Sequence, residues 1–346
     1  LLGVEAVRKG VHVLLAQTVN LQRTPVGGRV FECYSEDPEL TARLAVAFVR
    51  GVQSHEVAVT VKHFGANDTE VERFSVDARV PERALRELYL RPFEAAVREA
   101  GAWGVMSAYN KVGGEFCAAN RRLLHDILRG EWGFDGFVVS DWFGSHDTAP
   151  SARAGLSVAM PGPDTIYGPS LADAVKRGEV DEGTVDALVD DVLRLIARTG
   201  AASLAADRAE QSVDDPGERA LCRRAVTEGL VLLRNERAVL PLSPSARVAV
   251  IGPNAAATRI MGGGSSSLEP LPFRSILAAL EECLDHAPVF EPGVRIDKLP
   301  PPMRAALTVE YRNGADRSAP VVASEEASSS LLRLFGSTPA GVDPSS

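Results

Sequence analysis

The chain has 346 residues, of which 45% are hydrophobic and 24% charged, and its formal net charge is −9 at pH 7. That length is sufficient for two domains, and the composition is typical of a globular protein with a substantial core. The acidic balance argues against a nucleic-acid partner, because sequence-independent binding to nucleic acid depends on basic residues that neutralise phosphates. No run of about 18 apolar residues is present, so no transmembrane helix and no membrane partner are predicted.

The start of the chain and its cysteines bear on the compartment of the protein and on bound metals or cofactors. The chain begins at Leu1 without a methionine, inside a predicted helix, so we expect that its natural N-terminus is missing. No signal peptide is visible, which favours the cytoplasm but leaves the compartment open. The cysteines are far apart and lack CxxC spacing, so we expect buried, reduced thiols and neither a metal site nor any other cofactor. They are Cys33, Cys117, Cys222 and Cys283.

Short apolar runs in the first two hundred residues predict strands that are buried on both faces of a parallel sheet. They cover residues 11–15, 57–61, 104–108 and 136–139, with a weaker fifth run at 155–160. Amphipathic helices are predicted between these runs, and alternation of strands and helices is typical of a parallel α/β fold.

Two of the helices have clear sequence features. Asp37 is a predicted N-cap, and an apolar stripe that includes Leu40 and Leu44 follows it at helical spacing. The segment 81–100 is predicted to be a helix that bends at Pro92, because proline cannot donate a helical hydrogen bond.

The strand–helix alternation is interrupted after residue 200. Residues 201–217 are rich in Ser, Ala and Asp and are predicted to be a linker. A second α/β unit is predicted over residues 218–300. From 301 to 346 the chain is rich in Pro, Thr, Val and Ser, with a strand-like segment at 307–311.

Polar side chains follow three of the predicted strands at the point where each strand ends. Lys62 and His63 follow the second run, Tyr109 follows the third, and Asp141 and Trp142 come shortly after the fourth. In a β/α barrel the C-terminal ends of the strands converge on one mouth, where catalytic groups lie. We therefore expect these side chains to form one site.

The residue types in this set suit the cleavage of a sugar. Asp141 is a candidate nucleophile for the anomeric carbon, and the ring of Trp142 is suited to packing on the apolar face of a pyranose. Tyr109 can donate its phenol hydrogen to the same carboxylate. Basic side chains offer donors to the sugar hydroxyls and favour the ionised form of a nearby carboxylate. These are Lys62, His63 and Arg73. A retaining glycosidase also needs a second carboxyl group, roughly 5 Å from the first.

Five motifs follow one another along the chain: residues 28–38 (GRVFECYSEDP), 62–68 (KHFGAND), 106–110 (MSAYN), 128–136 (LRGEWGFDG) and 139–142 (VSDW). In sequence, order and spacing they resemble glycoside hydrolase family 3, most strongly its β-glucosidase branch. The resemblance implies a partial TIM-type (β/α) barrel over residues 1–200. It also implies a retaining hydrolase that removes terminal β-D-glucosyl residues from a small-molecule β-glucoside or an oligosaccharide.

The resemblance also implies roles for individual residues. Asp141 matches the family's nucleophile, and Tyr109 matches the tyrosine beside it. Arg23, Lys62 and His63 match residues that line the glucose subsite. We add two further candidates for substrate contact, Arg73 and Trp142.

The later part of the chain resembles the entry to the family's α/β sandwich domain, which would begin within residues 218–300. The matching segments are residues 228–235, 240–242 and 250–255. A glycine-rich segment at 262–267 resembles a loop that leans over the active site, where Ser265 would contact the substrate. Residues 301–346 resemble, more weakly, the truncated beginning of an inserted protective-antigen-type β-domain.

Two parts of the family pattern have no counterpart in the sequence. The first barrel segment, with its sugar-binding Asp in a DGP motif, would lie before Leu1. The general acid/base is a Glu of the sandwich domain, and no Glu here has a matching context, so none is assigned. The chain by itself is therefore expected to be inactive.

Other interpretations stay open at this stage. Asp141 would serve as a strand-end cap, His63 as a core histidine, Arg73 as half of a surface ion pair and Trp142 as a packing residue. A contact from Ser265 is equally open.

The function also has alternatives. Within the family, they are a β-xylosidase or a glycosidase of saponins; outside it, a carbohydrate-binding pseudo-enzyme. A nucleotide site is not predicted, since neither GxGxxG nor a Walker lysine is present. The oligomeric state is left open, a homo-oligomer included.

Overall fold

The computed structural model describes residues 1–163, 166–203, 209–261, 266–294, 303–313, 318–330 and 339–342. The chain forms two compact units, Leu1–Val231 and Leu232–Ser346. Within the described ranges, none of the helices has the length and apolar character needed to cross a membrane.

The first unit is built on a parallel sheet. Its strands are, in chain order, β1 (Val13–Leu14), β2 (Ala58–Phe64), β3 (Asp77–Ala78), β4 (Gly104–Ser107), β5 (Lys111–Val112), β6 (Glu115–Phe116) and β7 (Phe137–Ser140). Four of them pair in parallel in the order β1-β2-β4-β7, and an isolated parallel bridge joins Val139 to Val158. The small strands β3, β5 and β6 form a separate three-stranded sheet. The prediction of a parallel α/β fold is confirmed.

Helices connect and cover the strands. They are α1 (Leu2–Arg8), α2 (Pro38–Gln53), α3 (Glu82–Ala84), α4 (Arg91–Arg98), α5 (Thr148–Ala154), α6 (Pro169–Lys176), α7 (Glu182–Thr199) and α8 (Pro216–Gly229). Asp37 is the N-cap of α2, as predicted, because its Oδ1 accepts the backbone N–H of Glu39 at 2.8 Å and of Leu40 at 3.2 Å.

The segment 81–100 is interrupted in a different way from the predicted bend. A π-helical turn, Leu85–Tyr89, follows α3, and the N–H of Leu90 donates to the carbonyl of Leu85 at 2.8 Å. Helix α4 then begins at Arg91, with Pro92 in its first turn, where no N–H is required. The proline therefore starts a new helix instead of bending an existing one.

The buried face of α2 also differs from the predicted one. Leu40 and Leu44 are 49% and 40% exposed. The buried side chains are smaller, namely Thr41, Ala42, Ala45, Val46, Val49 and Val52. Small residues allow close approach between helices, and Ala42 and Val46 pack against Ala95 of α4. Both stripes have helical spacing, so periodicity alone does not show which of them is buried, and the predicted stripe is the wrong one.

The main core lies between the sheet and these helices. Phe64, at the end of β2, packs edge-on against Phe93 of α4 at 5.2 Å between ring centroids and against Trp132 at 5.9 Å. All four residues of β4 and all four of β7 are buried. Strands buried on both faces are what the continuous apolar runs predicted.

A partly buried ion pair joins α7 to a neighbouring helical segment and, through Ser157, to the sheet. Arg129 lies in the π-helical segment Arg122–Glu131, and its Nη2 donates to Oδ2 of Asp191 at 2.7 Å. The same carboxylate oxygen accepts the hydroxyl of Ser157 at 2.7 Å, and that hydroxyl oxygen accepts the N–H of Val138 in β7 at 3.1 Å. The network therefore anchors β7 near its first residue. Arg129 also donates a hydrogen bond to the carbonyl of Gly136, the residue just before β7.

The second unit contains two small sheets and one α-helix among its described residues. Strands β8 (Ala249–Ile251) and β9 (Val289–Glu291) pair in parallel, and α9 (Ile276–Cys283) lies between them in sequence. Strands β10 (Arg304–Tyr311) and β11 (Ala323–Ser329) pair antiparallel.

All four cysteines are free thiols, and two of them are exposed. Cys222 lies on α8 and Cys283 on α9, two helices without buried residues. The expectation that all four thiols are buried is therefore wrong for these two. Cys117 is buried, and burial raises the pKa of its thiol.

Candidate active site

Asp141 directly follows β7 at the C-terminal end of the parallel sheet. The residue is 8% exposed, and its backbone N–H donates to the carbonyl of Ser107, the last residue of β4, at 3.3 Å. Its carboxylate is also held, because Oδ1 accepts the backbone N–H of Trp142 at 2.8 Å. The other oxygen, Oδ2, lies 3.4 Å from Nε2 of His63.

Lys62 and His63 are the fifth and sixth residues of β2, whereas the sequence placed them just after that strand. The backbone of His63 is fixed by Asn20, whose side chain accepts from the His63 N–H at 2.8 Å and donates to its carbonyl at 3.0 Å. The His63 side chain is almost fully buried. The strand therefore holds this imidazole rigidly beside Asp141.

Arg29 is part of the site and was not among the predicted residues. It lies in the loop before the short 3₁₀ helix Val30–Glu32, and its Nη1 is 3.2 Å from Nε2 of His63. Two hydrogen bonds join it to Glu32, at 2.6 and 3.1 Å. Glu32 in turn accepts from the hydroxyl of Thr18 at 2.6 Å. Arg29 falls within the first family motif, but it follows no strand, so the strand-end criterion missed it.

Tyr109 and Arg73 complete the arrangement around Asp141. Tyr109 shares a hydrogen bond with the carboxylate of Asp141. The guanidinium of Arg73 lies 4.7 Å from the centroid of the Tyr109 ring and 5.1 Å from that of Phe74. Arg73 also pairs with Glu70 at 2.6 Å, so the ion pair considered as an alternative exists beside the stacking on Tyr109.

The electrostatics of the site favour a neutral imidazole. Burial lowers the pKa of His63 well below its usual value, and the positive charges of Arg29, Lys62 and Arg73 lower it further. His63 is therefore uncharged at neutral pH. Burial raises the pKa of Tyr109, and the negative charge of Asp141 adds to that effect, so the phenol keeps its proton.

Lys62 and Glu32 carry opposite charges near Asp141. Burial, together with Arg29, lowers the pKa of Lys62, while Glu32 and Asp141 oppose that shift. The pKa of Glu32 is lowered overall: burial raises it, but the hydrogen bonds from Arg29 and Thr18 outweigh that effect.

The remaining predicted residues lie elsewhere or in different surroundings. The side chain of Arg23 is exposed and lies 5.7 Å from the ring of Tyr89. Trp142 is half-buried and packs against Met106, Phe137 and Val139. Ser265 lies outside the described residues. The structure thus brings together five predicted residues: Lys62, His63, Arg73, Tyr109 and Asp141.

Asp68, which follows the site histidine in the second motif, gives a prediction about pH. Burial raises the pKa of its carboxyl to about 6, against 3.8 for an ordinary aspartate, although Oδ1 accepts the N–H of Leu21 at 3.0 Å. Between these two values the native state binds more protons than the unfolded state, so this group reduces stability as pH rises. Asp68→Asn should raise the free energy of unfolding by about 1–3 kcal/mol at about pH 8, and by much less at about pH 4.

Urea unfolding at both pH values tests this expectation, with Asp147→Asn, an exposed site, as the matched control. Equal changes at the two pH values would show that the effect does not come from ionisation of Asp68.

Comparison with known proteins assigns the family. Residues 1–195 match the model described as "Glycosyl hydrolase family 3 N terminal domain", and residues 230–334 match its "C-terminal domain". This chain belongs to glycosyl hydrolase family 3. The membership inferred from the motifs is confirmed.

Individual relatives of this family 3 chain are named β-glucosidases. A β-glucosidase of Rhizobium radiobacter is 49% identical over 321 residues, which are 90% of this chain and 39% of the relative. The solved β-glucosidase of Kluyveromyces marxianus in complex with glucose is 37% identical with a TM-score of 0.81, over 86% of this chain and 37% of that one. β-Glucosidase 3B of Thermotoga neapolitana in complex with glucose is 40% identical with a TM-score of 0.76, over 84% and 41%.

These likenesses confirm the predicted fold class, a partial TIM-type barrel followed by further α/β structure. The family 3 chain spans about two-fifths of the length of the relatives that it matches.

Proposed function

We propose that the whole protein is a retaining glycoside hydrolase that removes terminal β-D-glucosyl residues, with Asp141 as its nucleophile. This proposal rests on the way the Asp141 carboxylate is held in one orientation at the C-terminal end of β7. One of its oxygens accepts the Trp142 N–H at 2.8 Å, and the other lies beside His63. A carboxylate held in one orientation at a barrel mouth is suited to attack on an anomeric carbon.

The proposed reaction has two displacements. In the first, an oxygen of Asp141 forms a bond to the anomeric carbon, the glycosidic C–O bond breaks, and the leaving oxygen takes a proton from a general acid. In the second, water attacks the same carbon, gives up its proton to the conjugate base, and releases Asp141. We assign no residue of this chain as the acid/base.

The neighbouring residues have separate tasks in this proposal. Tyr109 keeps its proton and donates a hydrogen bond to the nucleophile, which holds the carboxylate in place. Lys62 and Arg29 supply positive charge and N–H donors for sugar hydroxyls. Two of the solved relatives are described as complexes with glucose, which favours a glucosyl group as the sugar bound at this site.

Trapping of the glycosyl-enzyme in the whole protein tests this function. The reagent 2,4-dinitrophenyl 2-deoxy-2-fluoro-β-D-glucoside has a leaving group that departs without acid catalysis, so labelling needs the sugar subsite and the nucleophile but not the acid/base. We expect mass spectrometry of a protease digest to find the fluoroglucosyl group on Asp141, and none in Asp141→Asn. The exposed Asp147→Asn is the matched control and should label like the natural chain. A label on another carboxylate would refute the assignment of Asp141.

The same reagent with a xylosyl group, used in parallel, separates the main alternative within the family. Faster labelling by the xyloside would favour a β-xylosidase, and binding of glucose without any labelling would favour a pseudo-enzyme.

A further inference from the structure

Glu32 is a charged residue close to the nucleophile that the proposed reaction does not use. Its side chain is 26% exposed and makes three hydrogen bonds, two with Arg29 and one with Thr18. A carboxylate that accepts two N–H groups of one guanidinium fixes both the position and the plane of that group. Glu32 therefore determines where the remaining N–H groups of Arg29 point.

One of those remaining groups faces the site histidine. Nη1 of Arg29 lies 3.2 Å from Nε2 of His63. A guanidinium can only donate hydrogen bonds, so Nε2 must act as the acceptor in this contact. A neutral imidazole has one N–H, and a hydrogen on Nε2 would point a donor at a cationic donor. This contact therefore places the proton of His63 on Nδ1, a buried nitrogen that has no hydrogen-bond partner among the described residues.

This tautomer has a consequence for Asp141. The atom of His63 that lies 3.4 Å from Oδ2 of Asp141 is then a nitrogen without a hydrogen, so it donates nothing to that oxygen. The other carboxylate oxygen, Oδ1, is occupied by the N–H of Trp142. A hydrogen bond from His63 would draw electron density from Oδ2 and reduce its nucleophilicity. In the Nδ1–H tautomer, His63 therefore supplies no donor to Oδ2.

We propose that Glu32 is a positioning residue: through Arg29 it keeps His63 in the Nδ1–H tautomer, so that Oδ2 of Asp141 receives no hydrogen bond from His63. The tautomer rests on the contact between Arg29 and His63, while its effect on the reaction rests on the proposed function.

The charges around His63 are consistent with this arrangement. Arg29, Lys62 and Arg73 bring positive charge to the imidazole. Each of the arginines is paired with a carboxylate, Arg29 with Glu32 at 2.6 Å and Arg73 with Glu70 at 2.6 Å. Glu70 lies 4.0 Å from Arg29, too far to fix the plane of its guanidinium as Glu32 does. Glu32 is thus the carboxylate that orients Arg29.

The test compares three variants, made in the whole protein, with the natural sequence. Glu32→Gln removes the charge at nearly constant size, and Glu32→Asp keeps the charge but shortens the side chain. Glu36→Gln is the matched control, since Glu36 is an exposed residue four positions along the same segment. Side-chain ¹⁵N NMR reports which imidazole nitrogen of His63 is protonated, and His63→Gln identifies the signals. The rate of labelling by the dinitrophenyl fluoroglucoside reports the reactivity of Asp141.

The expected result links the two readouts. In the natural chain, Nδ1 should be protonated and Nε2 unprotonated. In Glu32→Gln the guanidinium is no longer held by two bonds, so Nε2 should become protonated in part and labelling should slow by about tenfold to a hundredfold. Glu32→Asp should fall between the two, and it supplies the test if Glu32→Gln does not fold. Glu36→Gln should match the natural chain in both readouts.

Other outcomes would overturn the proposal. A proton on Nε2 in the natural chain contradicts it directly. So does an unchanged His63 signature in a folded Glu32→Gln, even if labelling slows, because a merely structural role predicts that combination. If the whole protein with the natural sequence is not labelled at all, the proposed function is wrong, and the ¹⁵N comparison still decides whether Glu32 sets the tautomer.

Discussion

Replacement of Asp141 by alanine is expected to abolish hydrolysis of an aryl β-glucoside by the whole protein, with kcat lower by roughly 10⁴-fold or more. The reason is that the first displacement loses the atom that forms the new bond. The fold should persist, because the carboxylate side chain bonds only to the backbone N–H of its neighbour and to Tyr109, and the strand itself is held by β4 and by Ser157.

Rescue by azide tests the role of Asp141 more directly than the loss of activity does. In Asp141→Ala the space left by the carboxylate lies beside the anomeric carbon, so added azide should attack from that side. The product should be the α-glucosyl azide, which has the inverted configuration, and the rate should rise with azide concentration. The exposed Asp147→Ala should keep full activity and show no response to azide. Substantial turnover by Asp141→Ala without azide would show that another residue is the nucleophile.

The second large effect is expected on stability, at Asp191. Asp191→Ala leaves Arg129 with a largely buried charge and removes the acceptor that orients the Ser157 hydroxyl. Loss of one partner from a buried ion pair typically costs about 3–5 kcal/mol, because the other charge remains without compensation. For a unit of this size that corresponds to a fall in Tm of about 6–20 °C.

Thermal and urea unfolding of the chain measure this effect. Asp190→Ala is the matched control, since Asp190 is the neighbouring residue on the exposed side of α7, and it should change the unfolding free energy by less than about 0.5 kcal/mol. The double variant Asp191→Ala with Arg129→Met should recover much of the loss, because it removes the uncompensated charge. If Asp191→Ala is as stable as the control, then the pair does not hold β7 as the structure indicates.

The positions of the parallel strands and of most site residues could be predicted from the sequence. A continuous apolar run reports a strand buried on both faces, and that property depends on neighbours only a few residues away. Parallel strands run in one direction, so the polar residues at the ends of such runs, among them His63 and Asp141, lie at one edge of the sheet. This holds for any side chains in the segments between the strands. That is why the grouping of Asp141 with its neighbours could be predicted from patterns alone.

Some features of the helices could not be predicted in this way. The stripe of Leu40 and Leu44 and the stripe of Ala45 and Val49 have the same helical period, so the choice between them depends on how closely α2 approaches its neighbours. The smaller side chains are the buried ones because they permit close packing of α2 against its neighbours. The π-helical turn before Pro92 likewise depends on where α4 must begin to pack on the sheet.

The sequence by itself determined that Asp141 ends a buried strand beside Lys62, His63 and Tyr109, because strand periodicity and the common direction of parallel strands are local properties. Only the tertiary structure decided which arginine enters the site. Arg23 and Arg29 lie six residues apart in one loop, and both are plausible ligands of a sugar on residue type. The path of that loop, and the two bonds that Glu32 makes, direct Arg29 to His63 and leave Arg23 exposed near Tyr89. Contacts of this kind join residues whose separation in the chain carries no information about their distance in space.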